Sequence, residues 1–479
     1  MNAWTMKSGK QMIMGLATAA FLSGCTVGPN FTPPEAPAVS TYTSAEDALP
    51  VAQRVELGKH IESQWWRLFA SKPLNALIRQ AVTSNYSLHA AQQTLAQAQE
   101  AARAQSGSLW PNVSLGATSG RQKYGVALFG PADFAIPAFS YDEIGPTVSW
   151  TLDLFGGERR KRERMRALVD YQSRQLDAAY VELTGNVVAI ALGMASAQAR
   201  IDVINRIIAE DEKTLKLVQA SFDAGAGTRV DILSARSQLI ADQAQIPPLK
   251  QQISTNRHAL AILLGKQPSA WTPPPLTLDE FTLPRSLPVR LPSELARTRP
   301  DIMAAEANLH AASAAIGVAT ANLYPKITLS ANLMQEALNP AGLFHAANDA
   351  WSAAAGLSAP LFNGGELSAR KQAAEDAYRG ALDQYQQTVL NAFGQVADAL
   401  TAIAHDEELI ATWQQSVDTA RSSLDLARKS YQAGNTGLMP IEDAQRHLAQ
   451  AQLGITEISS QRYLDCVRLF VALGGSPMS

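Results

Sequence analysis

Four short segments of the chain alternate apolar and polar residues. The pattern is clearest at 147–154 and 326–333, and a period of two places one set of side chains on each face of a β-strand. We predict strands at 111–124, 141–155, 325–336 and 348–362. Such alternation is typical both of a soluble sheet that covers a core and of transmembrane strands that face lipid on one side.

The number of these strands predicts self-association if they span a membrane. Each segment has the ~9–11 residues that a tilted transmembrane strand needs, but four strands are too few for a closed barrel, which takes about eight. An open sheet edge would leave its N–H and C=O groups without partners in lipid. Two chains would supply eight strands and three chains twelve, and the sequence does not choose between these numbers.

Two very long segments are predicted to be helical. Residues 158–222 and 366–431 contain no proline and are dominated by Ala, Gln, Leu, Arg and Glu. At 1.5 Å per residue, each would extend for about 100 Å. Helices of this length are typical of coiled-coil packing. Joined to membrane strands, they would form a tube that is anchored in the outer membrane and extends into the periplasm.

The chain contains two copies of one plan. Four short motifs recur in the same order at offsets of 214, 207, 209 and 209, and each copy is predicted as helix, strand, loop, strand, long helix, turn and helix. The motifs begin at Leu109 and Leu323, Leu154 and Leu361, Ser221 and Ser430, and Leu264 and Leu473. We place repeat 1 at 72–267, with its first helix at 72–107, a Pro-rich connector at 268–298, repeat 2 at 299–475 and a tail at 476–479.

The N-terminus is predicted to be a lipoprotein signal peptide at residues 1–24. Lys7 and Lys10 precede an apolar stretch that is too short to span a membrane, and the stretch ends in Leu-Ser-Gly before Cys25. This sequence resembles a bacterial lipobox, so Cys25 is predicted to carry lipid, including palmitate, and residues 25–71 to form a lipidated N-terminal segment. Thr26, in place of the Asp that retains such proteins at the inner membrane, indicates the outer membrane.

Composition excludes several classes of protein. The 479 residues have a mean hydropathy of −0.08 and a net charge of −3, which argues against a polytopic helical membrane protein and against a nucleic-acid binder. With Cys25 lipidated, Cys466 has no partner for a disulfide, and no two histidines lie four residues apart. With no G-x-S-x-G motif and no phosphate-binding loop, we predict no enzyme, no cofactor and no metal.

At the level of the family, the chain resembles TolC-type outer membrane efflux channels, in the lipoprotein branch called NodT. The resemblance is carried by Ser63-Gln64-Trp65-Trp66 with Phe69, by Asn85 and Leu88, and by Arg299-Pro300-Asp301-Ile302 with Glu306. It implies a homotrimer that is mainly α with a membrane β part: a twelve-stranded β-barrel, with four transmembrane strands per chain, joined to a periplasmic α-barrel. Such channels are the exit ducts of tripartite pumps for drugs and other small molecules, together with a periplasmic adaptor (membrane fusion protein) and an inner-membrane pump, here of the RND type.

The turns after the long helices, at 222–231 and 431–443, are the candidate functional sites. Gly225 and Gly434 are expected to end the helices, since glycine readily adopts the left-handed conformation at a helix C-terminus. By the resemblance, these turns are the periplasmic tips, where Asp231, Tyr431 and Asp443 would hold a gate shut. The arginine that the family has two residues after the second glycine is replaced by Thr436, and Arg229 is the candidate substitute.

Several alternatives stay open at this stage. The chain could be the outer membrane channel of a protein secretion system, or a non-conducting periplasmic coiled-coil lipoprotein. The basic run at 159–166 is either a solvated helix face or a contact with phosphate headgroups. The acidic clusters at 210–212 and 406–408 lie in the long helices, where a solvated face is expected.

Overall fold

The computed structural model describes residues 26–124 and 137–475. The predicted signal peptide at 1–24, the predicted lipidation site Cys25 and the tail at 476–479 lie outside the described residues. The chain divides into two compact units. Unit 1 comprises Met1–Pro34, Leu95–Tyr171 and Ala305–Tyr385, and unit 2 comprises Glu35–Thr94, Gln172–Ala304 and Gln386–Ser479.

Helices dominate the described part of the chain. The α-helices are α1 (Lys72–Ser84), α2 (Tyr86–Gly107), α3 (Gly157–Asp223), α4 (Arg229–Gln243), α5 (Ile246–Leu263), α6 (Pro292–Thr298), α7 (Pro300–Ala321), α8 (Glu366–Gln432) and α9 (Met439–Ala472). The strands are β1 (Arg54–Leu57), β2 (Asn112–Gln122), β3 (Phe139–Leu152), β4 (Ser286–Val289), β5 (Lys326–Ala337) and β6 (Asp349–Ser358). The two longest helices, α3 and α8, have 67 residues each.

Two helices that the sequence predicted as continuous are broken. The helix expected at 72–107 is interrupted at Asn85, whose side-chain oxygen accepts a hydrogen bond from the Leu88 backbone N–H and whose amide donates to the Leu263 carbonyl. This side chain therefore caps α2 and ties it to the end of α5. The helix after the first turn is interrupted at Ala244 and Gln245, because proline in the helix interior cannot donate the backbone hydrogen bond and Pro247 and Pro248 follow directly.

Unit 1 is built around a four-stranded antiparallel sheet in the order β2-β3-β5-β6. Val148 of β3 is paired with Val113 of β2 and with Ala331 of β5, which is paired in turn with β6, so the middle strands are bonded on both sides. The outer strands β2 and β6 each have one free edge within the described chain. Large apolar side chains on this sheet are exposed, among them Val113, Leu115, Leu333, Trp351 and Leu357.

Unit 2 contains an aromatic core that explains one of the sequence motifs. Trp65, Phe69 and Phe470 are fully buried, and their rings lie 5.6–6.4 Å apart in tilted and edge-to-face arrangements. In the same unit, β1 pairs in parallel with β4. This two-stranded sheet lies partly within the segment that was predicted as a Pro-rich connector.

The Arg-Pro-Asp motif is also structural in unit 2. Arg299 is 8% exposed, and its guanidinium donates to the Ala472 carbonyl at 2.8 Å, to the Gln395 side chain at 2.6 Å and to the Asp301 carboxylate at 2.8 and 2.9 Å. Pro300 begins α7, where a missing N–H has no consequence. One side chain thus links three helices, α7, α8 and α9.

Among the described residues, two helices contain an 18-residue stretch that is long and apolar enough to cross a membrane, namely α3 and α7. The stretch in α3 is 56% buried inside the protein, and that in α7 is 44% buried. Helices that pack in a protein core meet the same criteria of length and composition. Neither stretch is therefore by itself evidence of a membrane span.

Candidate functional site

The first turn, between α3 and α4, is closed by a glycine in the left-handed conformation. Gly225 has φ = 77°, and its N–H donates to the Phe222 carbonyl at 2.9 Å, while the N–H groups of Ala226 and Gly227 both donate to the Ser221 carbonyl. These bonds satisfy the last carbonyl groups of α3. The prediction for this glycine rested on the same physical argument.

Asp231 has a defined role inside this turn. The Thr228 hydroxyl accepts a hydrogen bond from the Asp231 N–H at 3.2 Å, and the Asp231 carboxylate accepts one from the Thr228 N–H at 2.8 Å. This reciprocal pair is a capping box, which satisfies two free N–H groups at the start of α4. Arg229 is exposed at the first residue of the same helix.

The second turn, between α8 and α9, has the same glycine but no side-chain cap. Gly434 has φ = 73°, and the Asn435 N–H donates to the Ser430 carbonyl at 3.0 Å. Leu438 precedes α9 and makes no side-chain hydrogen bond to the helix. Asp443 pairs with Arg446 at 3.0 Å, and both side chains are more than half exposed. Because the two residues are three apart on one helix, this is a local ion pair.

Two helical hairpins have their turns in unit 2: the first is α3 with α4, and the second is α8 with α9. Tyr431 packs against an apolar cluster between them. We call the buried residues Val218, Leu424, Leu438, Ile441 and Ala444 the tip cluster. Ile232 and Tyr431 are partly buried against it. The cluster draws residues from α3, α8 and α9, so both turns share one small hydrophobic core.

Three polar contacts join the hairpins and were not foreseen from the sequence. The Arg428 guanidinium donates to Glu210 at 2.8 Å, and Glu210 also accepts from Lys213 at 2.7 Å; hydrogen bonds from Lys213 and Arg428 lower the pKa of Glu210. Further contacts link Gln445 to Thr214 at 2.8 Å and Ser234 to Glu442 at 3.1 Å. Burial raises the pKa of Glu442.

The prediction that the acidic clusters form solvated faces was wrong for two members. Asp211 is 6% exposed and Asp406 is 5% exposed. Asp211 lies on the inward stripe of α3 at the three- and four-residue spacing of a coiled-coil core; the other buried residues of this stripe are Ile204, Ile207, Thr214 and Val218. A polar residue at such a position was the signal in the sequence that this carboxyl group is buried.

The basic run at 159–166 was also interpreted incorrectly in part. Arg160 is 3% exposed, and its guanidinium donates to the carbonyls of Val27 and Gly28 and, at 2.8 Å, to the Asn30 side chain. It also pairs with Glu163 at 2.7 Å. This residue is neither a solvated face nor a headgroup contact, because it holds the N-terminal segment on unit 1.

Further contacts fix the same segment, and together with Arg160 we call them the N-terminal clamp. The ring of Phe31 stacks on that of His310 with centroids 4.4 Å apart, and His310 contacts Glu163 at 3.0 Å. Gly28 has φ = 89°, and a Cβ added there would overlap the backbone of Gly317. Only glycine at position 28 allows this close approach of two backbones.

Cys466 is a packed thiol. It is buried in unit 2, and burial raises its pKa to about 12, so its reactive thiolate form is disfavoured. Among the described residues no group of three or more His, Cys, Asp or Glu side chains could hold a metal ion.

Comparisons with known proteins agree on one family. The sequence model described as outer membrane efflux protein matches residues 77–266 and 291–475. The pyoverdine export outer membrane protein OpmQ of Pseudomonas putida KT2440 is 32% identical over 86% of this chain and 88% of its own length. Nodulation protein T of Rhizobium leguminosarum bv. viciae is 29% identical over 95% of this chain and 91% of its own length. The outer-membrane channel OprN superposes with a TM-score of 0.86 at 28% identity, covering 94% of this chain and 99% of OprN.

Proposed function

Because the chain belongs to the outer membrane efflux protein family, we propose that three copies form one continuous duct, with a twelve-stranded barrel in the outer membrane and an α-barrel in the periplasm. The membership confirms the family, the function and the location predicted from the sequence. The protein is an outer membrane protein, and it is the outer membrane channel of an efflux pump. Its family consists of channels and not of enzymes.

The observation that carries the proposed self-association is the open sheet of unit 1, and the number of three copies is taken from the family. Among the described residues, strands β2 and β6 each have a free edge, and they carry exposed apolar side chains such as Leu115 and Trp351. In lipid the backbone groups of both edges need partners, and strand β6 of one copy can supply them to strand β2 of the next. Three chains of four strands give a closed barrel of a size found in outer membranes.

The two turns of unit 2 are the proposed contact with the periplasmic adaptor of a tripartite pump, with an RND-type pump in the inner membrane. Apolar side chains at both turns are exposed, namely Val230 at 73%, Leu233 at 56% and Met439 at 73%. Exposed apolar residues that cluster at one end of a hairpin are typical of a protein contact.

The cargo is proposed to be small molecules, and the duct is proposed to be passive. One relative is named for pyoverdine export and another for nodulation. Two proteins with similar identity to this chain but differently named roles support a duct that leaves selection to the inner-membrane pump. We infer lipidation at Cys25 from the sequence, and the mass of the mature protein compared with that of Cys25→Ser tests it.

The gate is proposed to lie at the turns, where Asp231, Tyr431, Asp443 and Arg229 would make contacts between copies. Arg446, paired with Asp443 at 3.0 Å, offers the positive charge that Thr436 lacks. Each exposed pair contributes only ~0.2–1 kcal/mol. A trimer repeats every contact three times, so such weak pairs together can keep the entrance closed.

Conductance in planar bilayers tests both the duct and the gate. We expect Asp231→Ala combined with Tyr431→Phe to raise the single-channel conductance above that of the unmodified protein. Because Asp231 also caps α4, Thr228→Ala is the matched control, since it removes the cap and keeps the carboxylate. An unchanged conductance in the double variant contradicts the proposed gate. The absence of any conductance in both the unmodified protein and the double variant contradicts the proposed duct.

A further inference from the structure

Two buried carboxyl groups face each other in the first hairpin. Asp211 of α3 is 6% exposed, Asp242 of α4 is 5% exposed, and both side chains line the same cavity. Asp211 is about 20 Å from the turn along the axis of α3. Two ionised carboxylates cannot bond to each other, because both are acceptors only.

The surroundings of Asp242 assign its protonation state. One of its oxygens accepts a hydrogen bond from the Gln238 amide at 2.7 Å, and the other accepts from the Gln245 amide at 2.7 Å. Both oxygens are thus used as acceptors, which is the arrangement of a carboxylate. Asp211 differs, because its Oδ2 is buried and has no hydrogen-bond partner within the described chain. A proton on Asp211 would supply the missing donor.

The pair lines a cavity of about 430 Å³ together with four other charged side chains. From α3, Arg206, Glu210 and Lys213 line it, and Arg446 does so from α9. Glu210 is engaged by Lys213 and by Arg428 of α8. Burial, followed by the neighbouring Asp242, raises the pKa of Asp211 to about 7. The cavity gives a departing proton a route to water.

We propose that Asp211 and Asp242 share one proton, and that this proton holds the first hairpin closed near its turn. At low pH the protonated Asp211 donates to the Asp242 carboxylate and joins α3 to α4. When the proton leaves to water, two negative charges remain in one buried site, and their repulsion loosens the hairpin. The periplasmic end of the first hairpin is therefore a proton-sensitive element of the channel.

The second hairpin provides an internal comparison. At the offset of 209 residues, the places of Asp211 and Asp242 are taken by Ala420 and Ala451, which are 9% and 1% exposed. Two alanines pack there without any titratable group. At the level of this pair, a response to pH is thus expected in the first hairpin and not in the second.

Hydrogen exchange of the full-length protein in detergent, followed by mass spectrometry from pH 5 to 8, tests the proposal. Exchange in peptides within 206–243 is compared at each pH between the unmodified protein and Asp211→Asn, so that the intrinsic pH dependence of exchange cancels. The Asn amide imitates the protonated acid. Opening of the hairpin in the unmodified protein releases one proton. We therefore expect its exchange rate, relative to that of Asp211→Asn, to rise by about tenfold per pH unit up to pH ~7 and then to level off.

Three controls keep the result interpretable. Asp223→Asn removes an exposed carboxylate of the same helix and should behave as the unmodified protein. Peptides within 415–455 should show a ratio that does not vary with pH. If Asp211→Asn does not fold, Asp211→Ala with Asp242→Ala copies the alanine pair of the second hairpin and should likewise lose the pH response.

A constant ratio across the pH range would overturn the proposal, as would a pH response that persists in the double alanine variant. The proposal rests on the proposed function only in placing this hairpin at the channel entrance. Exchange is measured without any transport, so a protein that fails to conduct in bilayers can still show the proton-linked change, and the two failures are distinguishable.

Discussion

The two helical hairpins of unit 2 have the same order of elements but are stabilised near their turns in different ways. The first hairpin uses polar groups, namely the capping box of Thr228 with Asp231 and the buried pair Asp211 and Asp242. The second hairpin has no side-chain cap, and Leu438 and Ile441 contribute buried side chains to the tip cluster. The two turns therefore join helices in the same order but are stabilised by different interactions.

The helices that return from the turns differ as well. Helix α9 is continuous for 34 residues, whereas α4 ends after 15 residues at the break before Pro247 and Pro248. The break leaves Gln245 at the start of α5, where its amide reaches the Asp242 carboxylate. The irregular helix and the buried acid are thus parts of one arrangement. At the level of the Asp211 and Asp242 pair, the first hairpin should respond to protons and polarity, and the second to packing.

The largest expected effect comes from truncating a buried side chain that the second hairpin contributes to the tip cluster. Ile441 is 2% exposed, and Ile441→Ala should lower the free energy of unfolding by roughly 2–4 kcal/mol, because a cavity remains. Chemical unfolding in detergent, followed by circular dichroism, measures the change. Met439→Ala is the matched control, since Met439 is 73% exposed and its truncation should stay within about 0.5 kcal/mol. Equal losses in both variants would show that packing does not distinguish the second hairpin.

A smaller effect is expected from a second carboxyl pair, which lies farther from the turn in the second hairpin. Burial and then Asp465 raise the pKa of Asp406 to about 7, while Arg462 and Arg468 oppose the change. An unfolded Asp titrates near 3.9, so the folded chain binds more protons between about pH 4 and 7. Its free energy of unfolding should fall as the pH rises through this window.

Asp406→Asn should remove that part of the pH dependence, which is at most about 1.4 kcal/mol for each pH unit within the window. Melting temperatures in detergent from pH 4 to 8 measure it, and Asp425→Asn, at an exposed position of the same helix, is the control. A melting temperature that depends on pH equally in both variants would contradict the assignment. The two pairs sharpen the comparison, because each hairpin then has its own proton-linked position at a different distance from the turn.

The smallest effect is expected at the cap of the first hairpin. Thr228→Ala removes the capping box and should cost about 1 kcal/mol of stability. Thr436→Ala, in the second turn where Thr436 is exposed, should have almost no effect. Exchange rates of the amides at 229–232 provide a local measurement, and an equal response to both substitutions would remove the distinction between a capped and an uncapped turn.

Much of the fold could be predicted because its signals are local. Alternation located the four long strands to within a few residues, and the absence of proline located α3 and α8. The pairing of β1 with β4 was missed, because two four-residue strands, one of which contains Pro288, give no periodic signal and meet across more than 200 residues. The break of α4 was missed although Pro247 and Pro248 stood in the sequence as its cause.

The candidate site was likewise predictable only where its signals in the sequence are local. Gly225 and Gly434 could be identified because a helix end needs a residue that tolerates a positive φ. The core spacing of Asp211 was a signal of its burial, but its pairing with Asp242 and the contacts of Glu210 depend on which helices are neighbours. The sequence of one helix does not reveal its neighbours. The roles of Asp231, Tyr431, Asp443 and Arg229 in a gate stay predictions.

The N-terminal clamp has a consequence for protein engineering. Arg160 binds the carbonyls of Val27 and Gly28, and Gly28 lies directly on Gly317. Residues 26–31 are therefore part of the folded body and not a replaceable linker. A foreign export leader or an affinity tag should be joined ahead of Thr26, and a fusion that replaces 26–31 should yield protein whose N-terminus is trimmed by proteases.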